Sequence, residues 1–295
     1  MLPTMKRLFN ALHALTGRPR VPSKGPLWDR YAAGNDRLAK SIARRSAAER
    51  LKDQREQAPE ASRLLRSLAP LIIQGANGLE IQEHLLNAYL ERGWRPMLVG
   101  YCGYPAAVPV SVNYGVGGVI PTDKPIPEAA LVKVELIAGT PVSHLAQTWT
   151  FAGRNATPLQ LFMLDKARLA LRKGIEPVRH GASIDTIGDA ISKVLDENDL
   201  FPIRELCGYT MGAQRVEAPQ ILGYGLRGIP SRGTCMEAGQ VLNIQVLAQR
   251  AQVRTRVRGE EGFQYYTGDR GDAVVLSVMV EVTETGHRLL TEFVD

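Results

Sequence analysis

The stretch Leu206-Cys207-Gly208-Tyr209-Thr210-Met211-Gly212, followed by Glu217-Ala218-Pro219-Gln220-Ile221-Leu222, decides how this chain is read. It has an echo about a hundred residues earlier, in Val99-Gly100-Tyr101-Cys102-Gly103-Tyr104. Each is preceded by a helical segment, opened by Gly78-Leu79-Glu80-Ile81 in one case and Gly181-Ala182-Ser183-Ile184 in the other. A short strand follows each helix, Trp94-Arg95-Pro96 and Phe201-Pro202-Ile203, and then a Cys-Gly-Tyr corner and a glycine-rich loop. The spacing is far too long for a solenoid repeat and points to duplication, with two halves facing each other across a cleft.

Working outward, the pattern predicts helical structure over Asn35–Leu68, with Pro59 dividing it or sitting near the start of a second helix, and a helix over Leu79–Arg92, with Gly93 as the stop. The period then changes, and Val108–Asn113, Leu131–Ile137 and Thr148–Phe151 read as strands. Thr157-Pro158 is a helix start, leading into Pro158–Lys173, and Ile184–Leu195 is a further helix. Strands recur at Val241–Ala248, Ala273–Val282 and Arg288–Leu290. Residues 1–34, with seven prolines and glycines, are too interrupted for a long helix.

Composition is that of a globular protein: 295 residues, 44% hydrophobic and 22% charged. Three widely spaced cysteines form no zinc knuckle or disulfide framework, which fits a reducing cytoplasm. No apolar run reaches the roughly 18 residues of a membrane span. Lys6-Arg7 and the apolar residues after it resemble a signal peptide, but Asn10 and His13 interrupt them and Arg18 and Arg20 flank them, which argues against secretion. The net charge of +6 sits in residues 1–60, which hold 13 Lys/Arg and 6 Asp/Glu; the rest hold 23 and 24. A basic extension over residues 1–60, ahead of a folded domain over residues 61–295, is attracted to phosphate backbones or acidic protein surfaces. Arg250, Arg254, Arg256, Arg258 and Arg270 gather around Tyr265-Tyr266, although nearby acids dilute the charge.

The order of Gly100–Pro105, Ser111-Val112-Asn113, Gly118-Val119-Ile120-Pro121, Cys207-Gly208, Pro219–Leu222 and Asn243-Ile244-Gln245 resembles the methionine aminopeptidases. The resemblance covers about residues 65–291. It implies an α+β pita-bread fold: two pseudo-symmetric halves, a curved antiparallel sheet and outer helices.

Active members of that family hold two metal ions with two aspartates, a histidine and two glutamates. Carried over by the resemblance, these positions are Glu135, Leu145 or Ala146, Tyr209, Gln245 and Ser277. Two outer histidines fall on Gly118 and Val216, and Asn113 lines the same cleft. Only Glu135 keeps a charge. An amide, a phenol, a hydroxyl and an aliphatic chain cannot offset the desolvation of paired dications, so neither metal nor another cofactor is expected.

The resemblance therefore implies a catalytically inactive pseudoenzyme that takes a protein or peptide in its cleft and contacts a ribosome, RNA or an acidic partner through residues 1–60. Metal-free relatives serve as ribosome-associated factors and histone chaperones. One alternative is a creatinase-like enzyme on a small amino-acid-like substrate, with His144 or Glu135 moving protons, against which stands a His144 merely hydrogen-bonded on the sheet surface. Another is an aminopeptidase with non-standard ligands. Glu135 faces a bound amine, water, Lys133 or an arginine. Tyr209 and Gln245 are placed to hydrogen-bond across the former metal space. Cys207 is a nucleophile or a structural thiol.

Overall fold

Two long hairpins set the architecture. Strand β4 (Leu131–Gly139) pairs antiparallel with β5 (His144–Ala152), in a register that puts Glu135 opposite Thr148. Strand β9 (Val241–Gln249) pairs antiparallel with β12 (Ala273–Val282), with Gln245 opposite Ser277. All ten residues of β12 are buried, which explains its near-continuous apolar run. The structure, a computed structural model, describes residues 25–226, 233–259 and 262–294.

The two halves repeat one another. In the first, the two-residue strand β1 (Arg95–Pro96) pairs with the far end of β4 at Gly139 and Ala138. In the second, β6 (Phe201–Pro202) pairs with the far end of β9 at Gln249 and Ala248. Strand β2 (Val110–Val112) completes the first sheet against β4. Strands β7 (Gly208–Met211), β8 (Glu217–Ile221) and β13 (His287–Leu289) extend the second, in the order β13-β12-β9-β7-β8. A smaller sheet joins β3 (Gly115–Gly117) to the hairpin of β10 (Thr255–Arg258) and β11 (Gln264–Thr267).

Side chains stitch the halves together where β5 meets β12. Thr150 Oγ1 donates to the Val275 carbonyl at 2.7 Å and accepts the Val275 N–H at 2.9 Å. Ser277 Oγ accepts the Thr148 N–H at 2.8 Å, and Met279 Sδ accepts the Ala146 N–H at 3.4 Å. Asn243 Nδ2 donates to the Ala146 carbonyl at 3.4 Å. Among the described residues no backbone ladder joins these two strands. The buried N–H groups along this line are satisfied by side chains, and leaving one unmade would cost about 1–3 kcal/mol.

Helices cover the outside. Helix α1 (Pro26–Ala43) has proline in its first turn, where a missing N–H costs nothing. Its Asn35 amide donates to the carbonyls of Pro96 at 2.7 Å and Val99 at 2.9 Å. Helix α2 (Ala47–Arg66) opens on a capping box of Ser46 and Glu49. The short α3 (Ala69–Ile73) leads to α4 (Gly78–Glu91), capped by Asn77 and Glu80. Thr157 and Gln160 cap α5 (Pro158–Ile175), and α6 (Asp185–Asp196) follows.

Two expectations for the N-terminal region need correction. Residues 26–34 are helical, because the proline stands at the helix start and not inside it. The break in the next segment falls at Ser46, where the capping box begins a new helix, and Pro59 lies inside α2. Position 60, expected to divide extension from domain, also falls within α2. That helix binds the sheet directly: Gln54 Nε2 donates to the His144 carbonyl at 3.1 Å, and Asp53 Oδ2 accepts the hydroxyls of Thr140 and Ser143. The expected leader over residues 1–24 lies outside the described residues.

Arg55 forms a two-pronged bond to Glu281 on β12, at 2.9 Å through Nε and 2.5 Å through Nη2. The Glu281 side chain is only 5% exposed. Arg55→Ala should therefore cost about 2 kcal/mol, since it strips a buried carboxylate of its main partner. Urea unfolding at neutral pH measures this, and a loss within error of zero would mean that Arg288, 3.8 Å from the same carboxylate, suffices.

Candidate functional site

The cleft lies over the seam, and strand alternation decides what points into it. Gln147 reaches outward, its amide accepting from Ser62 Oγ on α2 at 2.9 Å and donating to the Glu292 carbonyl at 2.7 Å. Leu145, two residues away, shares that outer face. His144, Ala146 and Thr148 share the opposite face with Glu135. Of the two positions carried over for the second aspartate, Ala146 faces the cleft and Leu145 faces the helices.

Three of the remaining polar groups, Glu135, Ser277 and Tyr209, are already engaged. Glu135 Oε1 accepts the Gly118 N–H at 2.6 Å. Gly118 has φ +65°, and a Cβ there would collide with the Phe263 carbonyl oxygen. Ser277 is committed to the seam. The Tyr209 hydroxyl accepts from Asn243 Nδ2 at 3.4 Å, so its partner within the sheet is Asn243, where Gln245 was expected. Val216 is partly buried and packs against the main core.

Arg215, in the turn between β7 and β8, went unnoticed in the sequence. Its guanidinium lies 4.4 Å from the centre of the Tyr101 ring. The same charge acts on Glu135, Tyr209 and His144. Burial pushes Glu135 up to about 7, opposed by the Gly118 N–H and by Arg215. Burial raises the Tyr209 phenol, while Arg215 draws it down through its charge and a hydrogen bond. Of the protein groups foreseen for Glu135, it is an arginine whose charge acts on it. The signal available in the sequence was a cation one residue before Val216, which the resemblance assigns to a histidine.

Lys133, expected as a possible partner for Glu135, points elsewhere. It is fully buried, and its ammonium donates to the carbonyls of Asn113 at 2.6 Å and Ala273 at 3.1 Å. It thereby ties the first half to the start of β12. Asn113 itself has φ +49°, and its side chain accepts the Leu131 N–H at 2.9 Å. Burial draws Lys133 down to about 7, with Asp272 opposing.

His144 is not a surface strand histidine. It is 2% exposed, and its Nδ1 has no partner in the structure. Burial, then the charges of Arg215 and Arg50, draw it down to about 4, so the ring is neutral at physiological pH. Cys207 is partly buried, and its thiol is not part of a disulfide.

The residues present do not fit a dinuclear metal centre. The positions carried over as ligands supply one carboxylate, already bonded to a backbone N–H, and three neutral polar side chains, of which Tyr209 and Ser277 have other partners. Among the described residues, no group of three or more His, Cys, Asp or Glu side chains is placed to hold an ion. The arrangement can bind and orient a polar group. It offers nothing to lower the pKa of a water molecule.

The model of metallopeptidase family M24 matches residues 46–284. The chain belongs to that family. Among curated relatives, the methionine aminopeptidase of Salmonella typhimurium is 27% identical over 234 residues, covering 78% of this chain and 87% of the relative. Methionine aminopeptidase 1 of Bacillus subtilis is 24% identical over 201 residues, covering 68% and 79%. The crystal structure of methionine aminopeptidase from Rickettsia prowazekii superposes with a TM-score of 0.76 at 20% identity, covering 81% of this chain and 95% of that one. That from Thermotoga maritima gives 0.72 at 21%, covering 94% and 99%. The prolidase from Pyrococcus horikoshii gives 0.60 at 14%, covering 80% and 61%. The M24 chain thus has the pita-bread fold expected from its sequence.

Two outcomes follow for this site. Glu135, raised from 4.5 to about 7, makes stability fall as pH rises through that window, because the native state keeps a proton the unfolded chain has lost. Lys133, lowered from 10.5 to about 7, makes stability rise between pH 7 and 10.5, because the native state has released a proton the unfolded chain still holds. Together they place a stability minimum near pH 7. Thermal unfolding from pH 4.5 to 10 should lose its acid limb in Glu135→Gln and its alkaline limb in Lys133→Met; two unchanged limbs would refute the assignment. Separately, Arg215→Met should cost on the order of 1 kcal/mol less in a Glu135→Gln background than alone at pH 8, as coupled charges require. Strict additivity in that cycle would show that the two groups do not interact.

Proposed function

We propose that this M24 protein no longer performs metal-dependent peptide hydrolysis and uses its cleft to bind a peptide or protein. The observation that carries this reading is the charge balance of the cleft. Where relatives named methionine aminopeptidases would need several anionic donors, this chain brings one carboxylate and an arginine of its own. A site neutralised from within has little electrostatic reason to gather dications. The cleft walls remain: Tyr101 at 38% exposed, the phenol of Tyr209, and Glu135, which suits an amine donor such as a chain N-terminus.

Residues 1–60 add a basic segment to this reading, as a contact to ribosomal RNA or an acidic partner. The metal-free enzyme reading gains less support. His144 is neutral and buried, and its Nδ1 has no partner among the described residues.

Calorimetric titration with manganese and cobalt tests the first half of the proposal, with no saturable binding expected below the millimolar range. Incubation of a methionyl tripeptide with the protein and either metal should release no methionine. Tight binding of two ions per chain together with turnover would overturn it. The second half is tested by binding of that tripeptide against its N-acetylated form; equal affinity would remove Glu135 as an amine acceptor.

A further inference from the structure

The β10–β11 hairpin carries charge that the cleft does not use. Arg254, Arg256 and Arg258 recur at every second residue, and all three are exposed. In a strand this spacing sets side chains on one face, with Cα atoms about 6.7 Å apart. That is close to the separation of neighbouring phosphates along an extended single strand. Among the described residues none of the three arginines forms an ion pair.

An aromatic platform lies beside this row. Arg256 is directly opposite Tyr266 on β11. The Tyr266 ring packs on Tyr114 at 5.5 Å between centroids, and the Arg258 guanidinium lies 5.1 Å over the Tyr266 ring. A shallow groove of about 360 Å³ runs along the strand, lined by Val253, Arg254, Thr255, Arg256, Gly268 and Asp269. Two nearby carboxylates already have backbone partners. Glu205 accepts the Thr255 N–H at 3.3 Å, and Asp269 accepts the Gly271 N–H at 2.9 Å. Strand β10 is also the edge of its sheet, so nothing within the sheet covers its outer side.

We propose that the β10–β11 hairpin binds single-stranded nucleic acid, with phosphates on Arg254, Arg256 and Arg258 and a base stacked at Tyr266. Regular guanidiniums beside a ring are what a single strand requires, since each base has a face to stack and each linkage a charge. An acidic protein surface would use the arginines and leave the tyrosine idle. A duplex would present two backbones to a single row. Strand β11 borders the candidate site through β3, but Arg254, Arg256, Arg258 and Tyr266 are not among the residues assigned to it, so the inference does not depend on what the cleft binds.

The test is fluorescence anisotropy of the full chain with a labelled twelve-residue oligouridine, from 50 to 300 mM KCl. Arg256→Gln/Arg258→Gln should weaken binding at least tenfold and lower the salt slope by about 1.4, at roughly 0.7 per lost phosphate contact. Tyr266→Leu should weaken binding and leave the slope unchanged, as loss of stacking demands. Lys193→Gln, on helix α6 and outside both the hairpin and residues 1–60, should bind like the parent. Thermal melts matching the parent establish that the variants fold, and the exposed arginine pair keeps the test valid if the tyrosine variant does not. Unchanged affinity in the arginine pair would overturn the proposal. So would competition by polyglutamate as strong as by unlabelled oligouridine, which would identify an acidic protein ligand, or tighter binding to a duplex of equal length.

Discussion

The seam between β5 and β12 is the constraint on which the molecule depends. Two sheets built by duplication must meet, and where they meet there is no backbone ladder to satisfy buried N–H groups. Thr150, Ser277, Met279 and Asn243 do so with side-chain atoms. Ser277 occupies the position matched to the last metal-binding glutamate of the aminopeptidases. A hydroxyl there is short enough to reach the neighbouring strand and neutral enough to stay buried. At the position that the resemblance assigns to a metal ligand, this chain makes a structural bond.

The same economy appears in the charges. Lys133 sets its ammonium between two main-chain carbonyls, and Arg215 sets its guanidinium near Glu135. Both cations are covalently part of the chain, so they cost no binding entropy and cannot be chelated away. Their disadvantage is desolvation. Burial shifts Lys133 and Glu135 in opposite senses, and each is strained electrostatically near neutral pH.

Much of the fold was legible because its long strands obey simple burial rules. Ala273–Val282 reads as a buried strand because nine of its residues, with Ser277 among them, are small or apolar. Thr157 announces α5 because its side chain caps the helix it precedes. Helix α1 was hidden by proline and glycine, whose meaning depends on position: at a first turn proline is compatible with a helix. Pro59 gave the converse error. In the site, matching positions along the sequence singled out Glu135, Tyr209 and Ser277 but could not choose between Leu145 and Ala146, since one residue of slip turns a side chain to the other face. Arg215 was invisible for a different reason. Nothing periodic marks a turn residue, and its role arises only when β7 and β8 fold it back over Tyr101.

Gly118 fixes one corner of the site. Its backbone is left-handed, its N–H is spent on Glu135, and the Phe263 carbonyl fills the volume a side chain would need. A histidine placed there would meet a wall. Seating its ring would demand that the backbone at Phe263 give way and that the left-handed turn be rebuilt, while the amide kept its hold on Glu135. One position thus joins a backbone shape, a filled volume and a donated proton, so a substitution there is felt in all three at once.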